Sequence, residues 1–378
     1  VSRHGPHRLR STFRSRFRPG LRAACLAALV GLAPVAGAGG PPTAPADGPR
    51  FVFGRSPSLF QRHPDAVVTR VGVWLDGSWG DTDQGPGSVD LNHFNVLLDS
   101  RWRSLQAFVE VEYERERGFD GGEEEKEFEI EQAYLRFRPR DALSLRVGRF
   151  NTPAGIWFPI HWSILMDTIE KPPHAAKDLL PEQQLGLEVA GTLFPDWLRP
   201  LDGHLDYALF AGIGSDRLDQ DAVEGVSVGA DLRLRLRERW LVGATAYRQK
   251  NDEVADRSEH NLLLYGEADL PGSLTFRAEY LHQRRERPRG SPWAKTLDVG
   301  YAKLRWDFAR WFYLNYRISY GDDDAEDGTT TEQLVNVLTL GVQPIPEVRV
   351  KLEYAVHDFS GRGDEDYRFW GTSVGMRF

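Results

Sequence analysis

Cationic side chains recur two residues apart within apolar segments, as in Leu232-Arg233-Leu234-Arg235-Leu236 and Val348-Arg349-Val350-Lys351-Leu352. An extended chain turns successive side chains to opposite faces, so this spacing gathers the cations on one face and the aliphatic groups on the other. Cations aligned along a wall that faces water set up a field, and rings of Arg or Lys select anions in pores. By the same parity Arg70, Arg136, Arg146, Arg233, Arg235, Arg277, Arg317, Arg349 and Lys351 belong to the polar face. Glu110, Glu112, Glu188, Asp231, Glu267, Glu279 and Glu353 share it. Two uses stay open: a track for anions, or opposite charges that pair along the wall and hold it in shape.

Catalytic chemistry has thinner support. The histidines beyond residue 40 are His63, His93, His161, His174, His204, His260, His282 and His357, with no HExxH and no pair at metal-ligand spacing. No GxSxG or P-loop occurs. His93 beside Asn95, or His161 with His174, would need a Ser or Asp on the same rim to form a hydrolase. A barrel enzyme acting on lipid or peptide is the alternative from another class, and a closed structural or adhesive barrel is a third. No cofactor and no metal are expected.

Elements that could hold such a wall run through most of the chain. Sixteen strand-like segments are read at 67–78, 91–102, 105–114, 128–138, 142–150, 184–194, 204–213, 225–236, 240–250, 260–269, 273–283, 296–308, 311–320, 332–342, 347–357 and 367–378. Their connections alternate in length. Tight links such as Arg103-Ser104, Arg237-Glu238-Arg239 and Ala309-Arg310 face long polar ones such as 115–127, 214–224 and 284–295, and only 195–203 is long on the tight side. Trp102, Trp197, Trp240, Trp306 and Trp311 all lie beside predicted short turns, as an interfacial girdle requires. The pattern predicts an all-β fold: a transmembrane antiparallel up-and-down barrel of about sixteen strands, with short periplasmic turns and long extracellular loops. Two segments keep parity poorly. In 296–308 a bulge is expected near Ala302, and in 128–138 Glu129 and Glu131 share a face with Leu135 and Phe137.

Residues 1–40 read as a signal peptide. Seven arginines precede the apolar run Ala23 to Ala36, and Ala36-Gly37-Ala38 offers small residues for cleavage. Cys25, the one cysteine of the chain, lies in this segment, so a mature chain would have neither disulfides nor Cys-ligated metal. Its removal takes seven positive and no negative charges from a net −8, leaving about −15. That acidity argues against nucleic acid as a partner. Residues 41–66 form a Pro-rich linker and N-terminal segment ahead of a barrel over 67–378, and no stretch there is long and apolar enough for a transmembrane helix.

The longest connection, 151–183, is too aromatic for a disordered segment and is expected to fold inward, although capping the outer rim is the alternative. Trp157, His161, Trp162, Lys171, His174 and Lys177 would then form a constriction. Residues 131–155, from Glu131-Gln132-Ala133-Tyr134 through Val147-Gly148-Arg149-Phe150-Asn151-Thr152-Pro153-Ala154-Gly155, resemble the central segment of the phosphate-selective porin O and P family. Pro181-Glu182-Gln183-Gln184-Leu185-Gly186-Leu187 resembles the return into the next strand. The resemblance implies a sixteen-stranded homotrimeric porin in the bacterial outer membrane with an inward third loop. Its implied partners are membrane lipid and small hydrophilic solutes or anions. The family's ladder of lumen arginines and loop lysines is not matched position by position.

Overall fold

The computed structural model describes residues 67–84, 87–118, 125–160, 165–176, 179–214, 225–251, 257–286, 294–324, 330–360 and 366–378. Strands β1 (Val68–Thr82), β2 (Ser88–Trp102), β3 (Leu105–Gly118), β4 (Glu125–Arg140) and β5 (Leu143–Asn151) come first, after which the chain leaves the wall. It returns as β6 (Gln183–Leu193), β7 (Gly203–Gly214), β8 (Val226–Leu236), β9 (Trp240–Asn251) and β10 (Arg257–Leu270). The sheet is completed by β11 (Leu274–Glu286), β12 (Ala294–Ala309), β13 (Phe312–Asp324), β14 (Thr330–Ile345), β15 (Val348–Ser360) and β16 (Tyr367–Arg377).

Every strand pairs antiparallel with its neighbours in sequence, and β1 pairs with β16, so the sheet closes. Phe378 seals the seam: its N–H donates to the Val73 carbonyl at 2.7 Å and its carbonyl accepts from the Val73 N–H at 3.1 Å. Closure leaves no strand edge, which hydrocarbon demands because it offers no substitute hydrogen bonds. The predicted segments all correspond to strands. Several, β1, β4 and β14 among them, extend further toward the long-loop rim than alternation alone indicates.

Side chains sort as a lipid-facing wall requires. Leu232 is 52% exposed and Leu352 50%, whereas Arg349 keeps 6% and Lys351 3%. The same aliphatic exterior continues through Val71, Val96, Leu187, Leu209, Leu304 and Leu338. Trp102, Trp197, Trp306 and Trp311 stand exposed at the short-turn rim, and Trp240 is half-buried. An outward apolar surface of this extent is at rest in hydrocarbon, which places the barrel in an outer membrane.

Two departures from strict alternation have different causes. Between β3 and β4 the register shifts from Glu110↔Gln132 to Glu112↔Glu129, so β4 carries a bulge there. The extra residue turns Glu129 and Glu131 inward, which accounts for the parity fault in the sequence. The bulge expected near Ala302 is absent: β12 pairs with both neighbours without a break from Leu297 to Trp306. The polar residue that suggested it, Asp298, faces outward near the long-loop rim. There it accepts from Tyr280 Oη at 2.6 Å and meets His282 Nδ1 at 2.8 Å. Opposite it on the strand, Leu297 and Val299 point inward and belong to an apolar core inside the barrel.

Candidate functional site

That interior core exists because the 151–183 segment folds into the lumen. Its Trp157, Phe158, Ala175, Leu179 and Leu180 pack with Phe108, Phe150, Phe210, Leu263, Leu281 and Leu297 of the wall. The described residues of the segment include two short helical turns, Phe158–Ile160 and Pro173–Ala176. Its backbone polar groups, taken out of water, need partners, and the charged wall supplies them in three places.

The first is Glu279 on β11, wholly buried. Its carboxylate accepts the N–H of Ile156 at 3.0 Å, the N–H of Trp157 at 3.1 Å and the Tyr301 hydroxyl at 2.6 Å. Gly155 makes this approach feasible. It sits at φ +63, and a Cβ there would run into the Glu279 carboxylate and Leu263. Its N–H donates to Thr245 Oγ1 at 3.2 Å, and that hydroxyl in turn donates to Asp231 at 2.6 Å.

The second and largest anchor surrounds Asp167. Lys303 Nζ lies 2.6 Å from one carboxylate oxygen, and Arg305 at 2.6 Å and Arg349 at 3.4 Å share the other. Burial alone would push this carboxyl up, but Lys303, Arg305 and Arg349 outweigh it and hold Asp167 well below the usual carboxylate range. Around it the wall caps loop carbonyls. Arg349 donates to Met166 at 3.0 Å, Lys351 to Thr168 at 3.0 Å and Arg317 to Glu170 at 2.7 Å. Glu353 works in the opposite sense, accepting the N–H groups of Ile169 and Glu170 at 2.8 Å each. The third anchor fastens the return, where Gln283 donates to the Leu179 carbonyl at 2.8 Å and Thr152 Oγ1 to that of Pro181 at 2.6 Å.

Other inward residues pair within the wall. Arg233 meets Asp231 at 2.6 Å, Arg235 meets Asp206 at 3.2 Å, and Arg277 meets Glu267 at 2.6 Å. Arg146 pairs with Glu188 and lies over the Phe150 ring. Arg136 donates to Gln106 at 3.2 Å, while Arg70 is exposed toward the short-turn rim. Glu110 accepts from Asn95 and Gln132 at 2.8 Å each, and Asn95 also donates to Glu112. Cations therefore crowd β11–β15, whereas Asp76, Glu110, Glu112, Glu114, Glu129 and Glu131 load β1–β4 with carboxylates.

Within the loop, Lys171 is half-exposed beside Glu182 at 3.0 Å. His174 is buried, stacked on Tyr301 with ring centroids 5.6 Å apart and 3.9 Å from Glu279. His161, Trp162 and Lys177 lie outside the described residues. Sequence reasoning did not single out Asp167 or Thr168 in the loop, nor Lys303 and Arg305 as lining residues. The lower half of β12 did carry a signal, since Lys303, Arg305 and Asp307 alternate there.

His174 makes the loop sensitive to acid. Burial pushes its imidazole below the ordinary range, which Glu279 partly offsets and Arg317 reinforces. A released loop would titrate near the free value of about 6.5, so the seated loop binds fewer protons, and acidification through that value favours release. Asp167 acts in a lower window. Its depressed pKa stabilises the seat above the usual carboxylate range and that contribution is lost only when pH falls beneath it. Loop proteolysis is therefore expected to quicken between pH 7 and 5, and His174→Phe is expected to flatten that rise. An equal pH response in wild type and variant would assign it to another group.

No family model and no curated protein matches the chain. Solved structures match its fold. An anion-selective porin from Comamonas acidovorans is 9% identical, with a TM-score of 0.63 over 83% of this chain and 100% of that one. The fold is that of a bacterial outer-membrane porin-like barrel. A trimer form of OmpT, an outer-membrane protein of Vibrio cholerae, is 13% identical, with a TM-score of 0.60 over 83% and 100%. OpdK, an outer-membrane protein from Pseudomonas aeruginosa, is 12% identical, with a TM-score of 0.51 over 82% and 99%.

Proposed function

We propose that the protein is a passive diffusion channel for small hydrophilic solutes, with its aperture set by the 151–183 loop and with a modest preference for anions. The observation that carries this is the fastening of the loop to inward side chains of β9–β15 inside a sixteen-strand barrel. Barrels of that size enclose a water channel unless something fills it. Lys303, Arg305, Arg317, Arg349 and Lys351 crowd the wall that the loop meets, and the anion-selective Comamonas porin shares the fold. Most of these cations already have partners, so the preference is modest and no particular anion is assigned. In this reading the 1–40 segment directs export, and the channel assembles as a homotrimer, as the trimer form of the Vibrio protein does.

A closed structural barrel is the second reading, and one observation favours it. Inward polar groups at the level of the loop are dry, with Glu110, Glu279, Asn315 and Thr339 all at 0% exposure. An enzyme is less supported, because His174 is sealed beneath Tyr301 and away from any substrate. Single-channel recording in planar bilayers under a salt gradient decides between channel and closed barrel. Small discrete steps with an anion-leaning reversal potential are expected. Silence both in the wild type and in a variant lacking residues 157–176 would establish the closed barrel.

A further inference from the structure

His93 is used neither by the loop nor by the pairing that holds the wall, yet its surroundings are specific. It lies where β2 slips register against both neighbours, between Asp76 and Ser78 on β1 and between Leu91 and Phe94 toward β3. Bulges of this kind re-aim a side chain, and here the extra residue turns Asn92 to the inner face beside His93, which alternation with Asn95 already places there. Its Nδ1 is 2.7 Å from Asp76 Oδ1, and Asp76 is fixed in turn by Asn92, whose Nδ2 donates to Oδ2 at 2.9 Å. With Nδ1 engaged by Asp76, Nε2 faces Glu114 Oε1 at 3.3 Å and Glu112 Oε1 at 3.9 Å.

One imidazole nitrogen and two carboxylate oxygens therefore converge. Among the described residues neither Glu112 nor Glu114 has a Lys or Arg partner. Asn95, 0% exposed, donates Nδ2 to Glu112 at 2.5 Å and to Glu110 at 2.8 Å, and its Oδ1 has no hydrogen-bond partner. The three candidate ligand atoms lie within 4.8 Å of one another. Two ligands held at about 2.1 Å from a tetrahedral ion stand about 3.4 Å apart, so the His93–Glu114 separation already fits and Glu112 needs a small rotation. An imidazole that gives its other N–H to a carboxylate is the usual arrangement of a metal-ligating histidine.

We propose that His93, Glu112 and Glu114 bind a divalent first-row transition ion on the inner wall of β2 and β3, with Asp76 as the positioning residue. One imidazole with two carboxylates suits zinc or manganese better than calcium or magnesium, which take oxygen alone. Glu114, with 45% of its side chain exposed, opens the site toward the long-loop side of the lumen.

The test is calorimetric titration of Zn2+, and separately Mn2+, into the full chain refolded in detergent, with millimolar Ca2+ present to occupy acidic loops. One saturable site per chain is expected. Glu114→Gln should weaken it about tenfold or more and Asp76→Asn about ten- to a hundredfold, and His93→Ala should abolish it. Glu114 is half-exposed, so its variant leaves the barrel folded, which heat-modifiable gel mobility verifies. Absence of saturable binding overturns the proposal, as does binding that Glu114→Gln and His93→Ala leave unchanged.

Discussion

Replacing Asp167 by alanine is expected to raise single-channel conductance severalfold. Among the described residues of the loop, Asp167 is the one carboxylate that meets Lys303, Arg305 and Arg349 together. Removing it leaves Lys303 and Arg349 without this counter-charge, while Arg305 keeps Asp307, and breaking a buried ion pair by deleting one partner costs about 3–5 kcal/mol. The seated loop carries that cost, because once it withdraws the cations regain water. At about 1.4 kcal/mol per factor of ten, the loss shifts the loop's equilibrium by two orders of magnitude or more. Faster proteolysis within 151–183, with barrel stability kept, would accompany the larger steps. The attribution to charge has its own control. Asp167→Leu combined with Lys303→Met and Arg349→Met replaces these buried charges by apolar groups of similar size and leaves Arg305 with Asp307, an exchange often neutral or stabilising. That triple variant should return conductance toward the wild-type level. If Asp167→Ala conducts as the wild type does, the loop does not set the aperture.

The wall was legible in the sequence because a strand repeats every two residues and lipid enforces the repeat. Arg349 and Lys351 could be placed inside, and Leu232 and Leu352 outside, without coordinates. The partners of those cations could not be found the same way. A loop has no period, and which of its residues meets the wall depends on how the segment closes across the lumen. Asp167 and Thr168 therefore carried no signal, although the aromatic content of 151–162 marked the segment as inward-folding. The mistaken bulge in β12 has a related cause. Leu297 and Val299 sit inside because the loop offers Leu179, Leu180 and Phe158 as apolar neighbours, whereas an open lumen would demand polar groups there. Outward Asp298 is tolerated near the rim, with Tyr280 and His282 satisfying it. Read by alternation alone, inward leucines and an outward aspartate look like a slipped register. The opposite fault in β4 was a true slip, because there the extra residue is physically present.

The charge pairs on β1–β4 were the least readable part. Glu110, Glu112, Glu114, Asp76 and His93 come from three strands, and their meeting depends on the register in which β1 and β3 pair with β2, which the composition of each segment does not announce. Alternation brought Glu110 and Glu112 to the inner face. Alternation with Asn95 puts His93 on that face too, but it does not say that Asp76 pairs with it on one side and Glu114 faces it on the other.

Orientation of the whole wall is tested by a depth series on β8, where outward Val228, Leu232 and Leu236 stand at successive heights. Leu232→Arg puts a guanidinium near the middle of the apolar band, and such a charge costs about 2–4 kcal/mol at the bilayer midplane. Near the interface the cost is about 0–1 kcal/mol, so Leu236→Arg, one residue from the turn, should be almost silent. Val228→Arg, on the far side, should fall between the two. Equilibrium unfolding in lipid vesicles reads these differences directly. The peaked profile is the informative result, because a water-facing exterior would give three small and equal effects. An interior position for Leu232 would give a large cost in detergent and lipid alike, with no dependence on bilayer thickness. In a thinner bilayer the cost at Leu232 should shrink, since the guanidinium then lies nearer the headgroups. A flat profile would place these leucines outside hydrocarbon and remove the physical basis for a membrane channel.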